Sequence, residues 1–287
     1  MANQFTLVTD SSCDMSEQYL AENEVTTMQL SFTMNEKTMM CKEMGGAEFY
    51  AQMRAGGMPI TAQVNVDDAT GFLEPLLQSG RDVLYLAFSS GLSGTCASGQ
   101  IAAAELRQKY PDRKLIVVDS LCASMGQGLF VHKAVAMRNA DKSIDEVARW
   151  AEENKLRVAH YVVVDDLMHL HRGGRVSKTS AVLGAALGIK PLIHMDDEGK
   201  LVVIDKVRGR KQALEKAVTL LAGAVGEVKN DVCFISHSDC LEDAQSAAAM
   251  VRGRLGVKEV VINYIGPVIG AHTGVGTVAL FLMAEHR

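Results

Sequence analysis

Short apolar runs separated by longer amphipathic stretches set the pattern of the first half of the chain. Phe5–Val8 reads as a strand ending in the polar turn Thr9-Asp10-Ser11-Ser12, and Val25–Met34, Val83–Phe88 and Leu115–Val118 read as further strands. Helical stretches fall at Asp67–Gln78, Thr95–Lys109, Ser124–Arg138 and Ile144–Asn154. Strands this short alternating with helices of this length predict βαβ units, and so a parallel sheet. Each strand hands over to a loop rich in Ser, Thr, Asp and Gly. In such sheets ligands bind where those loops gather, outside the carboxyl ends of the strands.

The second half has a different rhythm. After a strand at Val158–Val164 comes a loop, Leu170-His171-Arg172-Gly173-Gly174-Arg175-Val176-Ser177, and a small apolar helix at Ser180–Leu187. Two strands follow, Ile189–Met195 and Lys200–Val207, joined by Asp196-Asp197-Glu198-Gly199. That turn is too short for a helical crossover, so the pair runs antiparallel. Apolar positions 213, 214, 217, 218, 221 and 225, and again 241, 244, 248, 251 and 255, make helices 210–225 and 241–255 amphipathic, each lying on a sheet. Strands at Val232–Ile235 and Val257–Asn263 complete the unit. From Gly276 to Ala284 the chain is apolar all round, which predicts a helix buried on every side. A buried start for it at Gly270–Gly274 offers unpaired N–H groups to an anion. The fold class expected is α/β. An N-terminal parallel-sheet α/β/α domain spans 1–156, and a C-terminal α+β domain with a mixed, partly antiparallel sheet spans 157–287. No linker marks the boundary.

Composition narrows the function. The 287 residues are 48% apolar and 22% charged, enough apolar surface to offset the entropy of ordering and to exclude disorder. Only 5% are aromatic while 15 are Met, so much of the interior is flexible aliphatic and thioether surface, able to line an adaptable tunnel. A net charge of −5 carries no basic footprint for nucleic acid. The start, Met1-Ala2-Asn3-Gln4-Phe5, has no basic segment followed by an apolar one, and the runs Val182–Ile189 and Val278–Ala284 are far below the roughly 18 residues of a membrane span. Six Cys without a CxxC pair read as reduced thiols of a cytoplasmic protein.

Four polar, Gly-containing segments are candidates for one site: Thr61-Ala62-Gln63, Ser89 to Thr95, Arg172 to Ser177 and His272 to Thr277. The second leaves a strand, turns on glycine and opens a helix, so hydroxyl and N–H groups face one point. Ser93 there reads either as part of a carboxylate or phosphate cradle or as the cap of its own helix. The phosphate loop G-x-x-x-x-G-K-[ST] is absent, and Gly91-Leu92-Ser93-Gly94-Thr95 misses G-x-S-x-G by one position. His169-Leu170-His171 and His237-Ser238-Asp239-Cys240 lack metal-ligand spacing and read as structural. The basic residues Lys206, Arg208, Arg210 and Lys211 read either as a solvated face or as a docking patch for an acidic partner.

Taken in order, Val8-Thr9-Asp10-Ser11, Thr61-Ala62-Gln63, Ser89 to Ser98, Asp119-Ser120, Arg172 to Ser177, Lys190-Pro191 and His272 to Thr277 make the chain resemble the DegV family. These are bacterial fatty-acid-binding proteins that serve as the FakB subunit of fatty acid kinase. Two positions depart from the family pattern: Ala62 stands where Ser is usual and Val275 where Pro is usual. The resemblance implies one long-chain fatty acid held between the two domains, its carboxylate bound by Thr61 and Ser93 with His272 close by, and with Gln63 and Thr273 alongside. It also implies a separate ATP-dependent kinase subunit, related to dihydroxyacetone kinases, that phosphorylates the bound carboxylate to an acyl phosphate. Arg175, with Arg172, Arg208 and Arg210, is then expected on the kinase-facing side or at phosphate. No catalytic residue, metal or cofactor of the chain's own is implied. Its partners are the acid and the kinase, not nucleic acid, with no membrane span and at most transient contact with a membrane in a bacterial phospholipid pathway.

Physical chemistry agrees with that expectation. Burying about 16 carbons at ~0.8 kcal/mol each offers up to about 12 kcal/mol, much of it consumed by ordering the chain. A buried carboxylate needs partners. Neutral hydroxyl donors supply them while leaving the oxygen nucleophilic, where an Arg fork would hold and neutralise it. Two other readings stay open at this point. One is an enzyme acting on a carbonyl or ester through His272 or Ser93, and the other is a binding module for a polar metabolite. Pocket shape separates them, since a lipid needs a long apolar tunnel.

Overall fold

The computed structural model describes residues 5–165, 167–177 and 188–287. The small helix expected at Ser180–Leu187 lies outside the described residues. Strand β1 (Phe5–Asp10) is buried along its whole length because it occupies the middle of a parallel sheet. The order there is β2-β1-β6-β7, with β2 at Val25–Met28, β6 at Asp82–Ala87 and β7 at Leu115–Asp119. One face is covered by α3 (Val66–Gln78) and α4 (Thr95–Lys109), whose Leu73, Leu77, Ala102 and Ala103 meet Val83 and Tyr85. The other face is covered by α1 (Glu17–Glu22), α5 (Met125–Asn139) and α6 (Ile144–Asn154). This is the expected α/β/α arrangement, with α4 and α6 at their expected bounds.

The second sheet has six strands in the order β10-β9-β8-β13-β11-β12. They are β8 (Val158–Val163), β9 (Ile189–Met195), β10 (Leu201–Arg208), β11 (Val232–His237), β12 (Glu259–Tyr264) and β13 (Val278–Met283). Only β11 and β12 pair in parallel, and β9 and β10 form the expected antiparallel hairpin. Helices α8 (Arg210–Val225) and α9 (Leu241–Leu255) cover one face with their apolar stripes. The opposite face turns toward α5, whose residues from Met125 to Val131 are all buried. Phe130 and Leu129 therefore share one core with Phe5 and Leu84 of the first sheet and Phe234 and Phe281 of the second.

Two expectations change. Gly276–Ala284 is not a helix, since Val278–Met283 forms β13, a central strand with helices over both faces and every residue buried. A strand buried on both sides is as uniformly apolar as a buried helix, so periodicity cannot separate them. The helix lies earlier, as α10 (Pro267–Thr273), with Pro267 in its first turn where the missing N–H costs nothing. His272 thus sits at the end of a helix, and the anion site argued from a helix start there does not exist. The run Val25–Met34 likewise divides. After β2 the chain turns, Leu30 N–H donates to Ser11 Oγ at 2.9 Å, and β3 (Ser31–Met34) enters a third sheet, β4-β3-β5, with β4 at Lys37–Met40 and β5 at Ile60–Ala62.

That small sheet and α2 (Gly46–Arg54) enclose Phe32, Phe49 and Tyr50 with Met34, Met39, Met44 and Met53. Four of the 15 Met are therefore core of this module, and one, Met195, lines the cavity described below. The Arg172–Ser177 segment begins inside a short helix, α7 (Met168–Arg172), and leaves it through Gly174 at φ 75, a left-handed exit that glycine takes without strain.

Candidate functional site

A cavity of about 410 Å³ lies between the inward face of the second sheet and the loops that leave the first. Its size is that of a small-molecule site. Because side chains alternate along a strand, the sheet contributes successive rows. Val162 faces the cavity with Ile193 and Ala279 on either side, and the next row is His160 with Phe281 opposite and Met195 nearby. Phe88, Leu92 and Ala123 close the wall on the first-sheet side, and Val268 and Ile269 of α10 complete it. The lining is mainly apolar. Most of its polar residues gather at one end.

At that end Thr61 Oγ1 lies 2.9 Å from His272 Nε2. Thr61 is fixed by β5, where it pairs with Phe32 of β3. His272 is fixed by α10, which is tied down at its start and held at its middle. Tyr50 donates its hydroxyl to Ile265 O at 2.8 Å and packs against Gly270, where a Cβ would overlap it. Gly266 N–H donates to Asp14 Oδ1 at 3.0 Å. His272 Nδ1 is buried and makes no hydrogen bond to the described residues. The tautomer that leaves least unsatisfied carries its proton on Nε2, so the imidazole donates to Thr61 and the Thr61 proton is free to point into the cavity. Burial first, then the positive charges of Arg175 and His169, push the His272 pKa down to about 4. The ring is neutral at physiological pH.

Ser93 lines the same end. It stands just before Gly94, the N-cap of α4; its Oγ accepts the Thr95 N–H at 3.2 Å, lies 3.0 Å from Thr95 Oγ1, and faces the cavity. The exposed Gln63 rests its amide on Gly94, where a Cβ would collide with it. Thr273 is buried and donates to Ile269 O at 3.2 Å. Arg175 also lines the cavity. Its Nε and Nη2 donate to Leu92 O at 3.1 and 2.9 Å and its Nη1 to Gly173 O. Among the described residues no carboxylate lies within ion-pair distance of it. Burial lowers its pKa.

The structure brings Thr61, Gln63, Ser93, His272, Thr273 and Arg175 to one cavity and leaves three arginines outside it. Arg172 is exposed at a surface opening of about 340 Å³, which shares Thr61, Arg175 and His272 with the cavity. Arg208 is exposed at the end of β10. Arg210 is held in ion pairs, with Asp243 at 2.9 Å and Asp165 at 3.7 Å, so it is an internal strut rather than part of a free patch. Ala62 lines the cavity, and Val275 packs against the Phe32–Tyr50 cluster beside it. Sequence reasoning missed the inner end, His160 and Ser124. Ser124 Oγ donates to Asp14 Oδ2 at 2.5 Å and lies 2.9 Å from Ser236 Oγ. Its backbone, at φ 52 and ψ −146, is in a region that glycine favours, and this hydrogen-bonded net holds it there. Among the described residues no His, Cys, Asp and Glu cluster could hold a metal, and no helix is long and apolar enough to cross a membrane.

The DegV family model, described as one of uncharacterised proteins, matches residues 4–285. The chain belongs to the DegV family. A DegV domain-containing protein of Clostridium perfringens is 40% identical over 287 residues, 99% of each chain. One from Streptococcus pyogenes is 33% identical over 285 residues, 98% of this chain and 99% of its own. Among solved structures, a fatty-acid-binding DegV family protein of Thermus thermophilus superposes with a TM-score of 0.88 at 28% identity, covering 98% and 99% of the two chains. DegV of Bacillus subtilis, a fatty acid binding protein, gives 0.85 at 26% identity over 99% and 100%. The expected fold, a parallel sheet followed by a mixed sheet, is the fold of these DegV structures.

Proposed function

We propose that this DegV protein binds one long-chain fatty acid between its N-terminal 1–156 and C-terminal 157–287 units, and presents the carboxylate to a separate ATP-dependent kinase subunit. The observation that carries the binding is a 410 Å³ mainly apolar cavity whose uncommitted polar donors gather at one end, His160 and Ser124 at the other being hydrogen-bonded within the protein. A polar metabolite needs donors spread along its length, whereas an acid with an acyl tail needs them at the head alone. Relatives of the same fold from Thermus thermophilus and Bacillus subtilis bind fatty acids. In this reading Thr61 donates to the carboxylate while His272 fixes its rotor, Ser93 supplies a second hydroxyl, and Arg175 adds positive potential. The pairing that a nucleophile and base require, Ser93 with His272, is replaced by Ser93 with Thr95 and His272 with Thr61.

Support for presentation to a kinase is the opening lined by Met58, Ile60 and Arg172, which meets the cavity at Thr61 and His272. A phosphoryl donor approaching there reaches the head group while the tail stays buried. The test of binding is organic extraction of the purified protein with lipid mass spectrometry. About one fatty acid per chain is expected. Absence of lipid, together with no uptake of added oleate or palmitate, overturns the proposal.

A further inference from the structure

At the inner end of the cavity stands a buried histidine that the head-group chemistry does not use. His160 is 2% exposed. Its Nδ1 lies 2.8 Å from Val158 O, and its Nε2 accepts the Ala123 N–H at 3.3 Å. Both nitrogens are thus paired when the proton sits on Nδ1, and the ring has no polar capacity left for a ligand. Phe281 meets it edge-on, with centroids 5.1 Å apart and planes at 88°. Behind it is α5, where a Cβ at Gly126 would overlap the ring. Gly126 is buried but does not line the cavity.

Thr277, immediately before β13, lines the cavity beside Thr273, to whose carbonyl its hydroxyl donates at 3.0 Å, and Phe281 of β13 pairs with His160, about 13 Å further on at the rise of an extended strand. The rows between them, Ala279 with Val162 and Ile193, are apolar. An acyl chain lying along these rows ends against the imidazole. We infer that His160, wedged by the absence of a side chain at Gly126, is the floor of the acyl site and sets the length of chain it accepts. This rests on the reading of the cavity as an acyl site.

A histidine suits this place for a physical reason. A flexible aliphatic floor yields to a longer tail, whereas a planar ring tied at both nitrogens and braced by a helix does not. Each methylene unable to fit forfeits its burial, about fourfold in Kd.

The experiment measures Kd of the delipidated protein for saturated acids from lauric to arachidic, with two variants that act in opposite directions. His160→Ala removes the floor, so the optimum moves to longer acids. Gly126→Ala pushes the ring into the cavity from behind, so the optimum moves to shorter acids, with about a fourfold loss for each methylene excluded. The Gly126 variant retains the imidazole and adds one methyl to a helix, so it reads the floor even where His160→Ala costs the fold. Length profiles of both variants that superpose on the parent's overturn the inference. A parent that binds none of the acids overturns the acyl-site reading itself, a result distinct from unchanged profiles.

Discussion

Replacing Thr61 with Val keeps the shape of the side chain and removes one hydroxyl. In the free protein that hydroxyl is the partner of His272 Nε2 at 2.9 Å, and His272 Nδ1 is already unpaired. The variant leaves a half-buried imidazole with neither nitrogen satisfied, which costs about 1–3 kcal/mol of stability. Binding suffers separately. A hydroxyl donating to a carboxylate contributes about 1.5–3 kcal/mol, so Kd for the acid rises by between about tenfold and a hundredfold. Ser93→Ala has a similar effect on binding and also costs stability, because it leaves the buried Thr95 N–H without the acceptor it has at 3.2 Å. The two losses are less than additive, since both hydroxyls serve one carboxylate. The assay is calorimetric titration with oleate and, as control, its methyl ester, whose neutral carbonyl forms a weaker bond and loses less. Unchanged Kd in both variants, or equal losses for acid and ester, refutes the head-group assignment.

Two further outcomes are expected. Burial raises the Asp14 pKa from 3.8 to about 7, so its contribution to stability is full below pH 4 and is lost as pH rises through 7. Asp14→Asn removes that dependence, and its unfolding free energy, measured by urea denaturation, should gain on the parent's by up to about 4 kcal/mol between pH 4 and 7. The comparison between variant and parent cancels the buried histidines, which titrate in the opposite sense. A difference that is flat with pH refutes the role of Asp14. Arg208→Glu, exposed and outside the cavity, should leave acid affinity within about twofold, an exposed charge remote from the site being worth little, and abolish phosphorylation by the proposed kinase subunit. Unchanged phosphorylation rules out docking through Arg208.

Where a segment's neighbours were near in sequence, its structure was legible. The helix Arg210–Val225 appears at its expected bounds because its apolar stripe meets a single sheet. The β9–β10 hairpin follows from a turn too short for anything else. Where burial comes from distant segments, local pattern fails. Val278–Met283 is apolar because α5 covers one face and α8 the other, and nothing within those residues tells strand from helix. The module of β3, β4, β5 and α2 escaped for a related reason, as strands so short carry little alternation to read. The site divides the same way. Thr61, Ser93 and His272 stand in polar, Gly-containing segments that are out of place in a core, whereas His160 sits in an otherwise apolar strand, and its place at the cavity is a product of pairing with β13.

The two ends of the cavity are built by different physics, and that difference bears on what the protein can do. The floor is made of polar side chains whose hydrogen bonds are spent within the protein: His160 on Val158 O and Ala123 N–H, Ser124 on Asp14 and Ser236. Such groups can face an apolar tail at no desolvation cost, and they hold their positions. At the head, the Thr61 proton is unspent and His272 is neutral, while Arg175 is tied to the carbonyls of Leu92 and Gly173. A guanidinium committed to carbonyls adds positive potential but has less of its fork left to grip a carboxylate bidentately. In the proposed function this matters, because an oxygen held by neutral donors keeps the electron pair that attacks a phosphoryl group, and one clamped in an ion pair does not. In that proposal the geometry that binds the acid is also the geometry that keeps it reactive toward a donor arriving at the Arg172 opening.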